Sequence, residues 1–213
     1  MLEKKGVIGT VAAMTAGTAF VLGSYLTAKV TIGQCSEPTS IISSFDADAY
    51  LGVWYELRRN EGIPFYEEND ECVTAKYELN PRGTIKVTNN AYKAYYDAGV
   101  TPESDEAVGK GEINSWFPGR LSVSFFGDIP GDYRIVDTDY SSYSVVYSCT
   151  SFMDLRISEY YWVLVRDQIE EGTTAYTDMM DTVDPIFDSR LPGYDYTNEM
   201  RTTKQGTGCQ YFN

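Results

Sequence analysis

The feature that most constrains the fold is a series of short runs of alternating apolar and polar residues, which extends from residue 53 to residue 166. Turn residues separate the runs, as at 80–83 (Asn-Pro-Arg-Gly) and 117–119 (Phe-Pro-Gly). This pattern is typical of antiparallel strands in a barrel or a sandwich. Eight strands joined as hairpins favour an up-and-down barrel, which is wide enough to hold one small ligand. We predict strands near residues 53–60, 72–80, 83–93, 108–116, 120–126, 132–139, 143–150 and 159–166.

Beyond residue 166 the pattern changes to that of one helix followed by a tail. Residues 173–187 predict an α-helix with Thr173 or Thr174 as its N-cap, and we expect Pro185 to disrupt its end. The predicted fold class is therefore all-β: an eight-stranded antiparallel up-and-down barrel with one C-terminal α-helix.

Charge and residue usage exclude several classes of function. The chain has 213 residues and a formal net charge of −14. This charge argues against nucleic acid as a partner, because phosphate binding needs clustered Lys and Arg. It also argues against docking of the folded domain on anionic lipid. The chain contains no His, which removes the commonest general base and the commonest zinc ligand. We expect no enzyme activity, no metal site and no required cofactor.

Four cysteines, Cys35, Cys72, Cys149 and Cys209, are too far apart for a CxxC redox or zinc motif. Their even number and wide spacing fit two disulfides, which indicates an oxidising compartment. Three connectivities are possible from the spacing alone.

The N-terminal segment allows two interpretations. Residues 6–28 contain no charged residue and are flanked by Lys4 and Lys5 on one side and Lys29 on the other. As a helix, the segment would be about 35 Å long, enough to cross a bilayer. One interpretation is a cleaved signal peptide; the other, which we favour because the apolar run is longer than a usual signal core, is a membrane anchor.

Small residues recur every four positions in this segment, at Gly9, Ala13 and Gly17, and would form a flat face for packing against another transmembrane helix. Lys4 and Lys5 predict that the folded domain lies on the non-cytoplasmic side. That side is the intermembrane space, the thylakoid lumen, the periplasm or the secretory lumen. The predicted organisation is an anchor or uncleaved signal over 1–29, a linker over 30–44 and the barrel domain over 45–213.

Three short motifs identify a family. The chain reads Gly-Val-Trp at 52–54, Thr138-Asp139-Tyr140 about 85 residues later, and Arg166 at the end of the last predicted strand. In this order they resemble the signature regions of the lipocalin family. The surrounding stretches 72–77 and 135–149 are similar to apolipoprotein D-like, retinol-binding-protein-like and bacterial outer-membrane lipocalins.

The resemblance implies structural roles for the signature residues. It implies that Trp54 closes the narrow end of the barrel and that Arg166 stacks over its ring. Gly52 would allow a close turn under the barrel, and Asp139 would bind backbone N–H groups in a tight turn. It also implies one disulfide pairing, Cys35–Cys149 and Cys72–Cys209. A few lipocalins are enzymes, but with every cysteine paired and no His we expect none here.

The family register places Trp54 inward, and side-chain alternation then predicts which residues line the cup. Glu56 and Arg58 would face inward together, either to orient a ligand or, as we favour, to neutralise each other. The inward side chains would either fill a solid core or, as we favour, surround an open cavity. The predicted ligand-binding set comprises Glu56, Arg58, Ala75, Tyr77, Ile85, Val87, Asn89, Ile113, Leu121, Val123, Phe125, Tyr133, Val146, Tyr160 and Trp162.

Two acidic stretches, 61–71 and 97–106, could border the open end of the cup. Either they would favour neutral or cationic ligands, or they are solvated loops with no role in ligand selection. We predict a membrane-tethered lipocalin that binds a small hydrophobic ligand: a lipid, sterol, retinoid, carotenoid, quinone or pigment. The alternative is a structural subunit of a large membrane complex, whose transmembrane partners would contact the N-terminal helix.

Overall fold

A computed structural model describes residues 31–32, 35–61, 70–93, 103–125, 130–152 and 155–211. The predicted anchor over 1–29, with Gly9, Ala13 and Gly17, lies outside these ranges, as do residues 62–69 of the first acidic stretch and 97–102 of the second. In the described part of the chain, no helix is both long enough and apolar enough to cross a membrane.

Eight antiparallel strands close into a barrel, as predicted. Strands β2 to β9 pair in sequence order, and β9 also pairs with β2, which closes the sheet. Strands β5 and β9 begin earlier than predicted, at Glu103 and Leu155. The strands are β1 (Thr31–Ile32), β2 (Gly52–Asn60), β3 (Asp70–Leu79), β4 (Ile85–Lys93), β5 (Glu103–Ile113), β6 (Arg120–Ser124), β7 (Gly131–Thr138), β8 (Tyr143–Phe152), β9 (Leu155–Val165) and β10 (Met200–Thr202).

Two apolar clusters lie on opposite faces of the barrel wall. The inner cluster contains Trp54, Ile85 and Leu164, whereas the outer cluster contains Val163 and Val165. Because alternate side chains of β9 enter different clusters, both faces of this strand are buried. This explains why residues 160–165 form a continuous hydrophobic run rather than an alternating one.

Helix α2 (Thr174–Arg190) covers the outer cluster, and the short helices α1 (Ala47–Tyr50) and α3 (Tyr196–Glu199) flank the barrel strands in the chain. Thr173 is the N-cap of α2, and its side chain accepts a hydrogen bond from Tyr176 N. The prediction that Pro185 disrupts the end of the helix was wrong, because the helix continues to Arg190. Val183 and Phe187, on either side of Pro185, are buried against the barrel, and their packing offsets the hydrogen bond lost at proline.

The N-terminal strap, residues 35–46, includes most of the predicted linker and lies against the barrel. It begins at the Cys35–Cys149 disulfide. Further along, Thr39 N donates to Arg190 O (2.8 Å) and Ile42 N to Ile135 O (3.2 Å). A Cβ atom at Gly119 would lie 2.6 Å from Ile42 O, so this close approach requires glycine.

The C-terminal tail, residues 200–211, completes the barrel wall. Strand β2 pairs with β3 only from Gly52 to Tyr55, and beyond this point β10 takes the place of β3 beside β2. Cys72 N donates to Lys204 O (2.9 Å), and the Cys72–Cys209 disulfide links the tail to β3. Both disulfides therefore follow the pairing that the resemblance implies, and two disulfides indicate an oxidising environment.

Removal of either disulfide should destabilise the protein, but each should loosen a different segment. The bridges join residues 114 and 137 positions apart, and closing such loops contributes about 5 kcal/mol by the chain-entropy relation. We expect urea unfolding to show a loss of this order in C35S/C149S and in C72S/C209S.

Hydrogen exchange of single amides separates the two effects. The Thr203 amide, bonded to Leu57 O, should exchange faster only in C72S/C209S. The Ile42 amide should exchange faster only in C35S/C149S. Equal acceleration of both amides in both variants would contradict separate roles for the two bridges.

Candidate functional site

One end of the barrel is closed by Trp54 and Arg166. The guanidinium carbon of Arg166 lies 3.7 Å from the centroid of the Trp54 ring, a distance that allows a cation–π interaction. The same guanidinium donates to three backbone carbonyls, those of Ala49 (2.9 Å), Val53 (3.0 Å) and Tyr140 (3.0 Å). Arg166 therefore joins three segments of the chain beneath the barrel.

The turn between β7 and β8 is organised by Asp139. Its Oδ1 atom accepts hydrogen bonds from the backbone N–H groups of Ser141, Ser142 and Tyr143 at 2.7–3.1 Å. Partial burial raises the pKa of Asp139, but the hydrogen bonds from Ser142 and the backbone outweigh this effect and lower it overall. Thr138 Oγ1 donates to Tyr143 O and accepts from Tyr140 N. These hydrogen bonds stabilise the turn that contains Tyr140, whose carbonyl accepts a hydrogen bond from Arg166.

The floor of the cup is a network of buried and partly buried hydroxyl groups. The Tyr77 and Tyr133 hydroxyls lie 2.8 Å apart, and the Tyr50 hydroxyl lies 2.9 Å from Ser144 Oγ and 3.4 Å from the Tyr133 hydroxyl. Burial raises the pKa of Tyr50 and raises those of Tyr77 and Tyr133 well above their usual value. The network is therefore neutral near pH 7 and presents polar but uncharged groups to the interior.

Most of the predicted lining residues share the inner face of the barrel. Asn89 pairs with Ala75 and Ala107 in register, and Tyr160 pairs with Ser148, the partner of Tyr133. Directly paired residues point to the same face, so Asn89 and Tyr160 also face inward. The predicted residues that belong to the inner cluster or pack against it are Ala75, Tyr77, Ile85, Val87, Leu121, Val123, Phe125, Tyr133, Val146 and Trp162.

Ile113 is at the edge of this set. It pairs with Leu121 and so lies on the inner face, but it is 36% exposed at the end of β5. Its position near the closed end leaves it partly in solvent.

Arg58 does not face the interior, which corrects the prediction. A register shift between Glu56 and Arg58 in the pairing of β2 with β9 places Arg58 opposite Val163, on the outer face. There Arg58 donates to the carbonyls of Tyr196 (3.2 Å) and Met200 (3.0 Å).

Arg59 takes the inward place instead, opposite Trp162. It is 1% exposed, and its guanidinium lies 2.6 Å from Glu56 Oε1. Glu56 also accepts a hydrogen bond from the Thr203 hydroxyl. A neutralised pair at Glu56 does exist, but its partner is Arg59 rather than Arg58.

Three inward positions on β5 were not predicted from the sequence. Ala107, Gly109 and Gly111 pair with Asn89, Val87 and Ile85 in register and share their face. A period-two alternation of small residues with Val108, Lys110 and Glu112 is visible in the sequence and could have found them. A Cβ atom at Gly109 would lie 2.8 Å from the Phe125 ring, so this glycine makes room for the aromatic ring that directly follows β6.

A polar atom on the inner face of the barrel lacks a hydrogen-bond donor among the described residues. Asn89 Oδ1 is buried and accepts no hydrogen bond from any described residue. A buried acceptor without a donor costs about 1–3 kcal/mol. A ligand that carries a hydroxyl or N–H group would remove this cost.

One residue of the first acidic stretch, Glu71, has a structural role. Glu71 Oε1 accepts from Arg201 Nη1 (2.8 Å), and Glu71 Oε2 accepts from Lys204 N (2.5 Å). This carboxylate therefore holds the C-terminal tail and is not a free charge at the open end.

Comparisons with known proteins agree with this architecture. Residues 45–186 match the family model of the lipocalin-like domain. Apolipoprotein D of Rattus norvegicus is 34% identical over 169 residues, which cover 78% of this chain and 85% of that protein. The Lazarillo protein of Schistocerca americana is 28% identical over 213 residues, covering 98% and 91%. The structure of insecticyanin from the tobacco hornworm Manduca sexta has a TM-score of 0.66 at 21% identity and covers 86% of this chain and 93% of that one. The similarity to insecticyanin shows that the two proteins share a fold.

The tyrosine network predicts a loss of stability in alkali. An unfolded tyrosine releases its proton near pH 10, whereas the buried tyrosines keep theirs. Their contribution is therefore fully present below pH 10 and is lost as the pH rises above it, by up to about 1.4 kcal/mol per pH unit for each group. We expect Tyr133→Phe to reduce this slope by about half that amount on average in urea unfolding between pH 9 and 11, because the unfolded tyrosine is only partly ionised in this range.

Ser144→Ala is the matched control, because it removes a hydroxyl from the same network but no ionising group. It should lower stability at neutral pH by about 1 kcal/mol and leave the alkaline slope unchanged. An unchanged slope in Tyr133→Phe would show that Tyr133 ionises normally in the folded protein.

Proposed function

Because this chain belongs to the lipocalin family, we propose that it is a carrier that holds one small hydrophobic molecule inside its barrel. The observation that supports this most directly is the inner face of the barrel, where apolar and aromatic side chains share a face with Asn89, whose Oδ1 atom accepts no hydrogen bond from a described residue. A largely apolar lining with few polar groups is typical of small-molecule sites.

Binding of this kind requires no chemical reaction. Burial of about 300 Å² of apolar ligand surface yields about 7–8 kcal/mol at 25 cal/mol per Å². Before the costs of association are subtracted, this corresponds to a dissociation constant of about micromolar. Apolar burial can therefore supply most of the favourable free energy of binding, and polar groups can set the orientation of the ligand.

The interior favours a neutral ligand. Its charged pair, Glu56 and Arg59, is already neutralised within the barrel wall. The floor tyrosines are neutral near pH 7, as an ordinary tyrosine is, and burial raises the pKa of each still further. The net charge of −14 disfavours anions in general. Of the classes that the sequence suggests, Asn89 Oδ1 fits those with a hydroxyl or N–H donor, such as a sterol, a retinoid alcohol or a hydroxylated lipid.

We further propose that residues 1–29 anchor the carrier to a membrane. The support is the charge-free segment 6–28 between Lys4-Lys5 and Lys29, which has the length of a membrane-spanning helix. The two disulfides require that the barrel lie on the oxidising side of that membrane.

Filling the barrel interior should abolish binding. The probe is 11-bromoundecanol, a neutral ligand whose bromine quenches tryptophan emission on contact, and Trp162 packs against the inner cluster. Measurements use the full chain in detergent with Trp116→Phe, because Trp116 is 85% exposed. We expect Ala107→Phe on the inner face to weaken binding at least about tenfold.

The matched control is Val108→Phe, one residue along the same strand, where the side chain is 48% exposed on the outer face. It should bind the probe as the parent does. If both variants are folded by circular dichroism and bind with equal affinity, the ligand site is not inside the barrel.

The role of Asn89 can be tested with a second ligand. The methyl ether of 11-bromoundecanol has the same chain but no hydroxyl donor. A net hydrogen bond of about 0.5–1.5 kcal/mol should make the parent prefer the alcohol by about 3–10-fold. Asn89→Leu should bind both compounds equally, whereas Thr88→Val, on the outer face of the same strand, should keep the preference. A preference that survives in Asn89→Leu would assign the hydrogen bond to another group.

A further inference from the structure

The floor of the cup holds more hydroxyl protons than hydroxyl contacts. The side chains of Tyr50, Tyr77, Tyr133 and Ser144 form a chain through three contacts of hydrogen-bond length: Ser144 to Tyr50 (2.9 Å), Tyr50 to Tyr133 (3.4 Å) and Tyr133 to Tyr77 (2.8 Å). Each hydroxyl carries one proton, and each contact uses one proton. Four hydroxyls joined by three contacts therefore keep one proton without an acceptor among the described residues.

The position of this free proton follows from burial. Tyr50 and Ser144 have no exposed surface and Tyr77 is 3% exposed, whereas Tyr133 is only partly buried. Tyr133 packs against the inner cluster, so its accessible surface faces the cup. An unpaired donor is costly where neither water nor a ligand can reach it. The free proton therefore belongs to Tyr133, the member of the network that can be reached from the cup.

This position defines the direction of each hydrogen bond in the network. Ser144 donates to Tyr50, Tyr50 donates to Tyr133, and Tyr77 also donates to Tyr133. The hydroxyl oxygen of Tyr133 then accepts two hydrogen bonds, one for each lone pair, and its own O–H remains available. Hydrogen bonds that run in one direction polarise one another, so a hydroxyl that accepts two of them is a stronger donor.

The charge of Arg166 favours the same direction. Burial raises the pKa of Tyr50 and Tyr77, and the guanidinium of Arg166 partly offsets this rise in both residues. A cation that favours the release of a proton also favours its donation in a hydrogen bond. Tyr50 and Tyr77 are the two residues that donate to Tyr133, so the guanidinium beneath the barrel strengthens the donor at the floor of the cup.

We propose that the Tyr133 hydroxyl is the hydrogen-bond donor for the ligand, and that the ligand carries a carbonyl oxygen, as in a ketone, an aldehyde or a quinone. This inference rests on the proposed carrier function and names the class of its ligand. A carbonyl oxygen accepts but does not donate, so it uses the free proton and adds no donor of its own.

A carboxylate is a poor alternative to the carbonyl group. It would also accept a hydrogen bond from Tyr133, but it would bring a negative charge into the barrel. The inward guanidinium of Arg59 already lies 2.6 Å from Glu56, so it does not supply a counter-charge. A buried charge without such a partner is costly. The floor therefore favours the neutral carbonyl.

Two ligands that differ only in the carbonyl group test the proposal. These are 12-bromododecan-2-one and 1-bromododecane, which have the same chain length and the same quenching atom. Quenching of Trp162 in the full chain with Trp116→Phe, in detergent, gives a dissociation constant for each. We expect Tyr133→Phe to raise the ratio of the ketone constant to the alkane constant by at least about threefold, because one net hydrogen bond is lost.

Tyr77→Phe is the matched control. It removes the hydroxyl 2.8 Å from that of Tyr133 but leaves the O–H of Tyr133 free, so the ratio should not change. Circular dichroism checks that both variants are folded. An unchanged ratio in Tyr133→Phe, or an equal or larger rise in Tyr77→Phe, would overturn the assignment of the donor.

Infrared spectroscopy tests the same bond without a substitution at the floor. The ketone is labelled with carbon-13 at the carbonyl, which separates its stretch from the amide band of the protein. A hydrogen bond from Tyr133 should move this stretch to a lower wavenumber than in hexane. A bound ketone with the stretch it has in hexane would overturn the proposal.

Failure of this proposal and failure of the carrier function are distinguishable. Absence of quenching by both compounds would overturn the carrier function and this proposal with it. Binding of both compounds, with a ketone stretch like that in hexane, would leave the carrier function standing and overturn the carbonyl contact alone.

Discussion

The guanidinium of Arg166 is the contact on which the closed end of the barrel depends. It covers the indole of Trp54 and holds three carbonyls, which belong to α1, to β2 and to the turn before β8. A planar group with five fixed donors can satisfy several acceptors at once, and a lysine ammonium cannot stack in the same way. Because these contacts use the backbone, side chains inside the barrel can vary without disturbing the closure.

The barrel wall separates two tasks. Its outer face packs against α2: Val163 of the barrel and Phe187 of the helix belong to the same cluster, and this packing stabilises the fold. Its inner face carries the tyrosine network at the floor and Asn89 higher up. The N-terminal strap and the C-terminal tail lie along the wall, and each is held by one disulfide. Much of the packing that stabilises the fold thus lies outside the barrel.

Local sequence signals predicted much of this arrangement. Eight strands, the helix cap at Thr173 and most inward residues follow from alternation and turn chemistry, because these depend on neighbours within a few positions. The error at Arg58 came from one irregular position. Strand alternation has a period of two, so a single extra residue at Leu57 moves every later side chain of β2 to the other face. No local pattern marks this irregularity, because it is defined by the pairing of β2 with the distant strand β9 and by β10 lying alongside.

The sequence by itself determined the strand and turn pattern, the position of the helix, and the motifs that mark the family. Each of these depends on residues that are close together in the chain or on a short motif of defined chemistry. Only the tertiary structure decided the outward face of Arg58, the insertion of β10 beside β2, and the pairing of β1 with the first residues of β9. These features join residues that are far apart in sequence, such as Thr203 and Leu57 or Ile32 and Leu155. Their pairing depends on how the closed sheet places its edges, which is a property of the whole barrel rather than of any segment.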